Sequence, residues 1–315
     1  MQLSAAVKTK PRQEVKMFRI LCISERGVRL SVSDGCLTMS EKHPDQPTLI
    51  APDELDAVIL EESAVSVTGS VISLLAEKRI PVIACGPKHL PVAVVNPIIA
   101  DGADSHNMVR FQIAAAKPWR KQIWQKLIRS KITGQSFNLT SCGKNGFDSL
   151  ADKVRSGDPD NIEARAASCY WSRMNLFPAR NRNAPDANQL FNYAYTILYS
   201  AFARYLCAAA LNPDLGIHHR SQYNHFSLAS DLMEPFRPLV DRCVFRFMST
   251  FPNVVRVQRE SRNEILKIIY DARISMNRKM WSLPDAVNLA VHSYKQCLVK
   301  QSVDIMLPEV RSCGW

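Results

Sequence analysis

Three of the chain's seven histidines, His218, His219 and His225, fall within eight residues of one another. They stand directly ahead of Asp231-Leu-Met-Glu234-Pro-Phe-Arg237-Pro238. A neutral imidazole and one or two carboxylates can bind a divalent cation, and a cation so held polarises a phosphodiester and activates an attacking hydroxyl. The spacing has a second meaning. Asp231 and Glu234 lie three apart, as in an acidic capping box, and Pro235 suits a first helical turn, where a missing N–H costs least. Both meanings can hold together. Other devices are absent: the sequence has no Gly-rich phosphate loop, no G-x-S-x-G elbow and no H-E-x-x-H, which speaks against nucleotide hydrolysis, serine hydrolase and zincin chemistry. A histidine-based nuclease motif across His219 to His225 would need a β-hairpin before a helix, and no convincing strand pair follows Pro213 and Gly216.

Charge points to a polyanionic partner. Forty Lys and Arg against 29 Asp and Glu leave a formal charge of +11. Residues 107–140 hold Arg110, Lys117, Arg120, Lys121, Lys126, Arg129 and Lys131 with no acid among them. Such a stretch attracts nucleic acid by Coulomb force and counterion release, or else is a solvated helix face. A second group, Arg256, Arg259, Arg262, Lys267, Arg273, Arg278 and Lys279, favours the first reading. Nine scattered cysteines with no C-x-x-C pair suit neither a disulfide framework nor a structural zinc site, so a reducing cytoplasm is expected. Residues 1–16 lack the apolar core of a signal peptide, and Arg204 interrupts the most apolar stretch, Ile197 to Leu211; neither secretion nor a membrane span is expected.

The elements that must position these groups divide into two kinds. After a disordered tail over 1–16, strand patterns run from Phe18 to Ile23, Val28 to Ser33 and Cys36 to Ser40, the last two flanking Asp34-Gly35, a dipeptide that tolerates positive φ in a tight hairpin. Val58–Leu60, Ala64–Val67, Pro81–Cys85 and Pro91–Val95 read as further strands, with a helix from Gly69 to Lys78 among them. This predicts a β-rich domain over 17–98. A linker over 99–106 follows, then a helical domain over 107–303 and a tail over 304–315, since periodic apolar residues return only after Asn96 to His106. Pro118 starts or kinks a helix with Trp119, Ile123, Trp124, Leu127 and Ile128 on its apolar side. A polar loop from Cys142 to Gly157 leads to Asp158-Pro159, an N-cap with proline at the first helical position, which puts Glu163 in the second turn. Residues 180–185 break the chain again before a helix from Asp186 to Ala210. The fold class is α+β: a small β-rich N-terminal domain followed by a larger all-α C-terminal one.

Three distant segments carry a resemblance. The stretch from Gly216 to Asp241, with His219 fifteen residues ahead of Glu234, resembles the signature of the CRISPR-associated spacer-acquisition integrase, in which a glycine-led histidine precedes the acid of a D-L-M-E element. Asn161-Ile-Glu163-Ala-Arg-Ala-Ala-Ser-Cys-Tyr170-Trp171 is similar to that family's glutamate helix, and Asn188 to Leu198, with Asn192, Tyr193 and Tyr195, to its asparagine and tyrosine helix. The N-terminal strands from Leu55 to Val82 resemble the family's β-domain, so the likeness spans about residues 17–300. Ala164 stands where many relatives carry Gly, and Ile217-His218 departs from the usual residues before the ligand. The Met-Glu-Pro-Phe-Arg-Pro wording resembles the type II branch, found with single-protein effector nucleases.

The resemblance implies a metal-dependent integrase and endonuclease that joins 3′-hydroxyl ends of double-stranded DNA into a CRISPR repeat array. It implies one Mg²⁺ or Mn²⁺ held by Glu163, His219 and Glu234, which are then the catalytic residues. Asp231 is a cap or a support for the ligands, and Arg237 a partner for a carboxylate or a phosphate. For Asn192, Tyr193 and Tyr195 a core role and a role near the scissile strand stand level, and His218 and His225 are ordinary polar residues. A homodimer and a small ferredoxin-like adaptation partner are implied as well. A non-catalytic basic scaffold for nucleic acid, in which Glu163 and Glu234 merely cap and pair, is the alternative.

Overall fold

The computed structural model describes residues 20–40, 47–55, 57–78, 80–86, 91–95, 104–174, 188–219, 223–251 and 259–309. The expected tail over 1–16, most of the expected linker and the expected break at 180–185 lie outside them.

The N-terminal part is built on two four-stranded sheets. β1 (Ile20–Ile23), β2 (Arg29–Ser33), β3 (Cys36–Ser40), β4 (Thr48–Ile50), β5 (Ala57–Leu60) and β6 (Ser66–Val67) precede helix α1 (Gly69–Glu77), β7 (Val82–Cys85) and β8 (Pro91–Val95). One sheet has the order β4-β3-β2-β6 and the other β1-β5-β7-β8, parallel except for β8. Asp34 and Gly35 turn the β2–β3 hairpin with φ of 50° and 74°, the positive values that a two-residue turn needs to match strand twist. Leu30, Leu37, Val71 and Leu75 close a core between the β2–β3 sheet and α1.

Helices dominate thereafter: α2 (Asp104–Ala114), α3 (Lys117–Ser141), α4 (Asp148–Asp152), α5 (Ile162–Met174), α6 (Asn188–Ala208), α7 (Ser227–Leu232), α8 (Arg237–Thr250), α9 (Arg259–Asp271) and, at the end, α10 (Leu283–Lys300). Between α9 and α10 the chain forms a hairpin, β9 (Ile274–Met276) with β10 (Lys279–Trp281), so this part is mostly rather than wholly helical. Residues 304–309 pack back on the body: Glu309 N donates to Ser275 O at 2.8 Å and Ile305 is buried. A short helix, α4, occupies the stretch expected as a polar loop.

The apolar stripe of α3 is buried as its spacing predicts: Trp119, Ile123, Trp124, Leu127 and Ile128 all join one large helical core. The two parts meet where Cys207 and Ala208 of α6 pack on Ala57, Ile59 and Ile83. There Arg204, buried in that apolar helix, pairs with Glu61 at 2.9 Å. No described helix is long and apolar enough to cross a membrane, and all cysteines among the described residues are free.

Candidate active site

Glu163 lies in the first turn of α5, where exposed N–H dipoles favour negative charge. The helix begins later than Asp158-Pro159 suggested, because Asp158 and Asn161 both adopt left-handed backbone, φ 50° and 51°, which breaks helical continuity. Asp158 still caps it from a turn away: its carboxylate accepts from Ile162 N at 2.9 Å and Glu163 N at 3.0 Å. Glu163 is therefore a first-turn residue, a correction to the second turn expected.

Glu234 opens a single 3₁₀ turn, Glu234–Phe236, between α7 and α8. The prolines at 235 and 238 each occupy a first helical turn, where their lack of N–H costs nothing. This tight corner buries Glu234 to 4% exposure. Arg237, one turn on, meets its Oε1 at 3.0 Å while lying over the Tyr195 ring at 4.9 Å. Tyr195 in turn donates to Asp241, which fixes the ring beneath the arginine that meets Glu234. Asn192 and Tyr193 are half-buried on the same helix.

His219 is fixed by Asp231. The wholly buried carboxylate of Asp231 accepts from Ile217 N (2.6 Å), His218 N (2.9 Å) and His219 N (3.3 Å) and meets His219 Nδ1 at 2.5 Å. Asp231 thus caps the loop ahead of it, rather than forming a capping box with Glu234. Gly216 makes the close approach possible: a Cβ there would lie 2.4 Å from His219 O and 3.1 Å from Asp231 Oδ2. Holding Nδ1 leaves Nε2 of His219 as the free donor atom. The bond to Asp231 is the largest influence raising the His219 pKa above its ordinary value, with Glu234 and Glu163 adding to it through space. His218 stacks flat on Trp124, ring centroids 4.2 Å apart and planes within 3°, so the two adjacent histidines are used differently. His225 faces Asp214 at 3.6 Å on the surface.

One residue of the centre comes from the basic run. Lys131 of α3 reaches Glu163 Oε1 at 2.6 Å and Glu234 Oε2 at 2.7 Å. Burial, the strongest single influence, would by itself push both ionisations toward neutrality. The paired charges outweigh it, so Lys131 is raised and Glu234 lowered from their ordinary values. The 2.7 Å contact is an ion pair by distance, and Glu234 Oε2 makes no hydrogen bond. Lys131 is therefore no part of a DNA-facing stripe. Arg129, exposed, and Arg120, half-buried, donate to the carbonyls of Asp152 and Val154 and of Gln112 and Ile113 respectively. Of the second basic group, Arg256 lies outside the described residues, whereas Lys267, Arg273, Arg278 and Lys279 are exposed.

Lys131 joins Glu163 and Glu234, and His219 lies near enough for both acids to act on it through space; the three come from different segments. Two carboxylates and one imidazole nitrogen form a donor set suited to a divalent cation, and the buried oxygen of Glu234 that lacks a hydrogen bond fits the same use. Among the described residues no three His, Cys, Asp or Glu already stand in ligating positions, and the Lys131 ammonium lies between the two acids.

The family model for CRISPR associated protein Cas1 matches residues 21–251. The chain belongs to the Cas1 family. The CRISPR-associated endonuclease Cas1 of Neisseria meningitidis serogroup C is 30% identical over 265 residues, covering 82% of this chain and 86% of that one. Among solved structures, a casposase bound to integration product matches with a TM-score of 0.71 at 18% identity, over 91% of this chain and 97% of the other. A partial Cas6-RT-Cas1--Cas2 complex matches with a TM-score of 0.70 at 19% identity, over 92% and 97%. At such identities these two likenesses speak for the Cas1 fold alone.

Two residues of this Cas1 centre are read differently in the sequence, Lys131 as one of a nucleic-acid-attracting basic run and Trp124 as part of an apolar helix face. A signal was present: Trp124, Leu127, Ile128 and Lys131 share one helical stripe, and a lysine on an otherwise apolar stripe calls for a buried acidic partner.

Proposed function

We propose that this chain is a divalent-metal-dependent DNA integrase and endonuclease that joins 3′-hydroxyl ends into a CRISPR repeat array. Glu163, His219 and Glu234 hold one Mg²⁺ or Mn²⁺. The observation that carries the reading is the Asp231 latch on His219: it occupies Nδ1 and leaves Nε2 for a ligand, with the charges of Glu234 and Glu163 acting on the ring through space, the arrangement in which a carboxylate orients a metal-ligating histidine.

In the joining step the 3′-oxygen of the incoming end forms a bond to a phosphorus of the repeat. The bond from that phosphorus to its own 3′-oxygen breaks, and the departing oxygen takes up a proton. When bound, the cation supplies charge stabilisation for the phosphoryl group in transit and favours ionisation of the attacking hydroxyl. The protein's part is positional. Asp231 holds the His219 ring, Arg237 holds Glu234 with Tyr195 beneath it, and Asp158 caps the turn that presents Glu163. No covalent bond to the chain is required.

A homodimer and a small ferredoxin-like adaptation partner belong to the same reading. The edge strand β8 leaves Val92 and Val95 exposed at 70% and 44%, an apolar edge of the kind that proteins cover. The Lys131 ion pair favours the scaffold alternative, in which the acids merely neutralise a buried lysine. The test is joining of a duplex with free 3′-hydroxyls into a supercoiled repeat-bearing plasmid. Mg²⁺ or Mn²⁺ should support it, Mn²⁺ better because an imidazole ligand suits the softer ion, and EDTA should abolish it while filter binding of DNA persists. Full joining in EDTA sinks the metal reading. DNA binding with no joining under any metal favours the scaffold.

A further inference from the structure

We infer that Lys131 is an internal counter-ion: its ammonium holds Glu163 and Glu234 together in the metal-free protein and leaves the space between them when a divalent cation enters. Lys131 thereby sets metal affinity. This rests on the metal reading proposed above.

Lys131 Nζ stands 2.6 Å from Glu163 Oε1 and 2.7 Å from Glu234 Oε2, with the side chains of Lys131 and Glu234 at 9% and 5% exposure. The same oxygens are the carboxylate donors for a cation, and a cation bound to them would lie at about 2.0–2.6 Å from each. Two positive centres cannot share those oxygens at such separations in a poorly hydrated site, because their repulsion grows as the dielectric falls.

The charges of the cluster already cancel without metal: Glu163 and Glu234 against Lys131 and Arg237. One cation must yield when a divalent ion arrives, and the geometry distinguishes them. Arg237 is pinned, its guanidinium lying over Tyr195 at 4.9 Å and its Nε on the other oxygen of Glu234. Lys131 carries a point charge on a flexible four-carbon stem, and its ammonium is the cation that stands between the two acids. Its departure gives up the hydrogen bond to Glu163 Oε1 at 2.6 Å, which a ligand bond to the same oxygen replaces. The arrangement keeps buried acids neutralised until the ion arrives.

The test is Mn²⁺ binding to the full chain in the absence of DNA, followed by the loss of the free-Mn²⁺ signal in electron paramagnetic resonance. Chelator-treated wild type and Lys131→Met are compared, alongside their melting temperatures with and without Mn²⁺. Lys131→Met should bind Mn²⁺ about tenfold or more tighter, the expected effect of removing one competing charge at contact distance. It should also melt lower than wild type when metal-free and gain more on Mn²⁺ addition. Equal or weaker Mn²⁺ binding by Lys131→Met, with wild type binding measurably, overturns the inference and leaves the metal reading standing. Absence of Mn²⁺ binding by wild type and variant alike overturns the metal reading itself. Where Lys131→Met fails to fold without metal, refolding on Mn²⁺ titration supports the exchange. If only Lys131→Met/Glu234→Gln folds, with Mn²⁺ restoring nothing to the single variant, Lys131 is a structural counter-ion only and the inference fails.

Discussion

Replacing Asp231 by Asn probes the latch with almost no change of shape. The native carboxylate accepts from three consecutive backbone N–H groups and from His219 Nδ1, at zero exposure. Hydrogen bonds to a charged acceptor contribute about 1.5–3 kcal/mol each, against about 1 for neutral pairs. The amide keeps one accepting oxygen, and its NH₂ faces N–H groups that it cannot accept from. The ion pair to His219 adds little of its own, because that side chain is 46% exposed and water screens it. Together these give an expected loss of about 2–4 kcal/mol. At about 2 °C per kcal/mol in a chain of this size, thermal melting should fall by about 4–8 °C. Strand joining by the folded variant should fall about 10–100-fold, the usual effect of losing the group that orients a ligating histidine. The bond to Asp231 raises the His219 pKa. The pair's stabilisation is therefore complete below the ordinary imidazole range and is lost as pH rises through the raised value. That pH dependence should shrink in Asp231→Asn, leaving the smaller part due to Glu234 and Glu163. Unchanged melting together with unchanged joining would refute the latch.

Other consequences are open to direct measurement. Gly216→Ala forces a Cβ to 2.4 Å from His219 O; melting should drop by the equivalent of about 1–3 kcal/mol, and joining should fall about 100-fold as His219 shifts. Arg204→Met removes the guanidinium from Glu61, which keeps the Cys22 Sγ donor, and should cost about 1–3 kcal/mol in denaturant unfolding, most of it recovered in Arg204→Met/Glu61→Leu. Because His219 gains a proton that a cation must displace, Mn²⁺ affinity should strengthen as pH rises through its raised pKa, and a flat calorimetric pH profile would count against His219 as a ligand.

Much of this architecture was legible because local rules and burial agree. The Asp34-Gly35 turn and the strand over Pro91–Val95 match the residues expected; His219, chosen by the family resemblance, is the histidine whose Nδ1 meets Asp231. The failures share a cause in non-local contacts. The α5 start slipped because left-handed Asp158 and Asn161 resemble ordinary caps in sequence. The hairpin over Ile274–Trp281 was missed because each strand has three residues and its turn, Asn277-Arg278 at φ 51° and 60°, lacks the glycine that marks such turns. Lys131 was read by charge alone. Its acidic partners lie 32 and 103 residues away, beyond any periodicity.

The most direct test of the site compares two neighbours. Asp231 holds His219 by Nδ1 and leaves its Nε2 for a ligand, whereas His218 stacks on Trp124. In the joining of a 3′-hydroxyl duplex end into repeat-bearing plasmid, with melting temperatures confirming the fold, His219→Ala should lose about 100–1,000-fold, the scale of losing an electrostatic group at the reacting phosphate. Glu163→Gln and Glu234→Gln should follow it, and His218→Ala should retain most of its activity. A dead His218→Ala beside an active His219→Ala, or joining by both, would contradict the account.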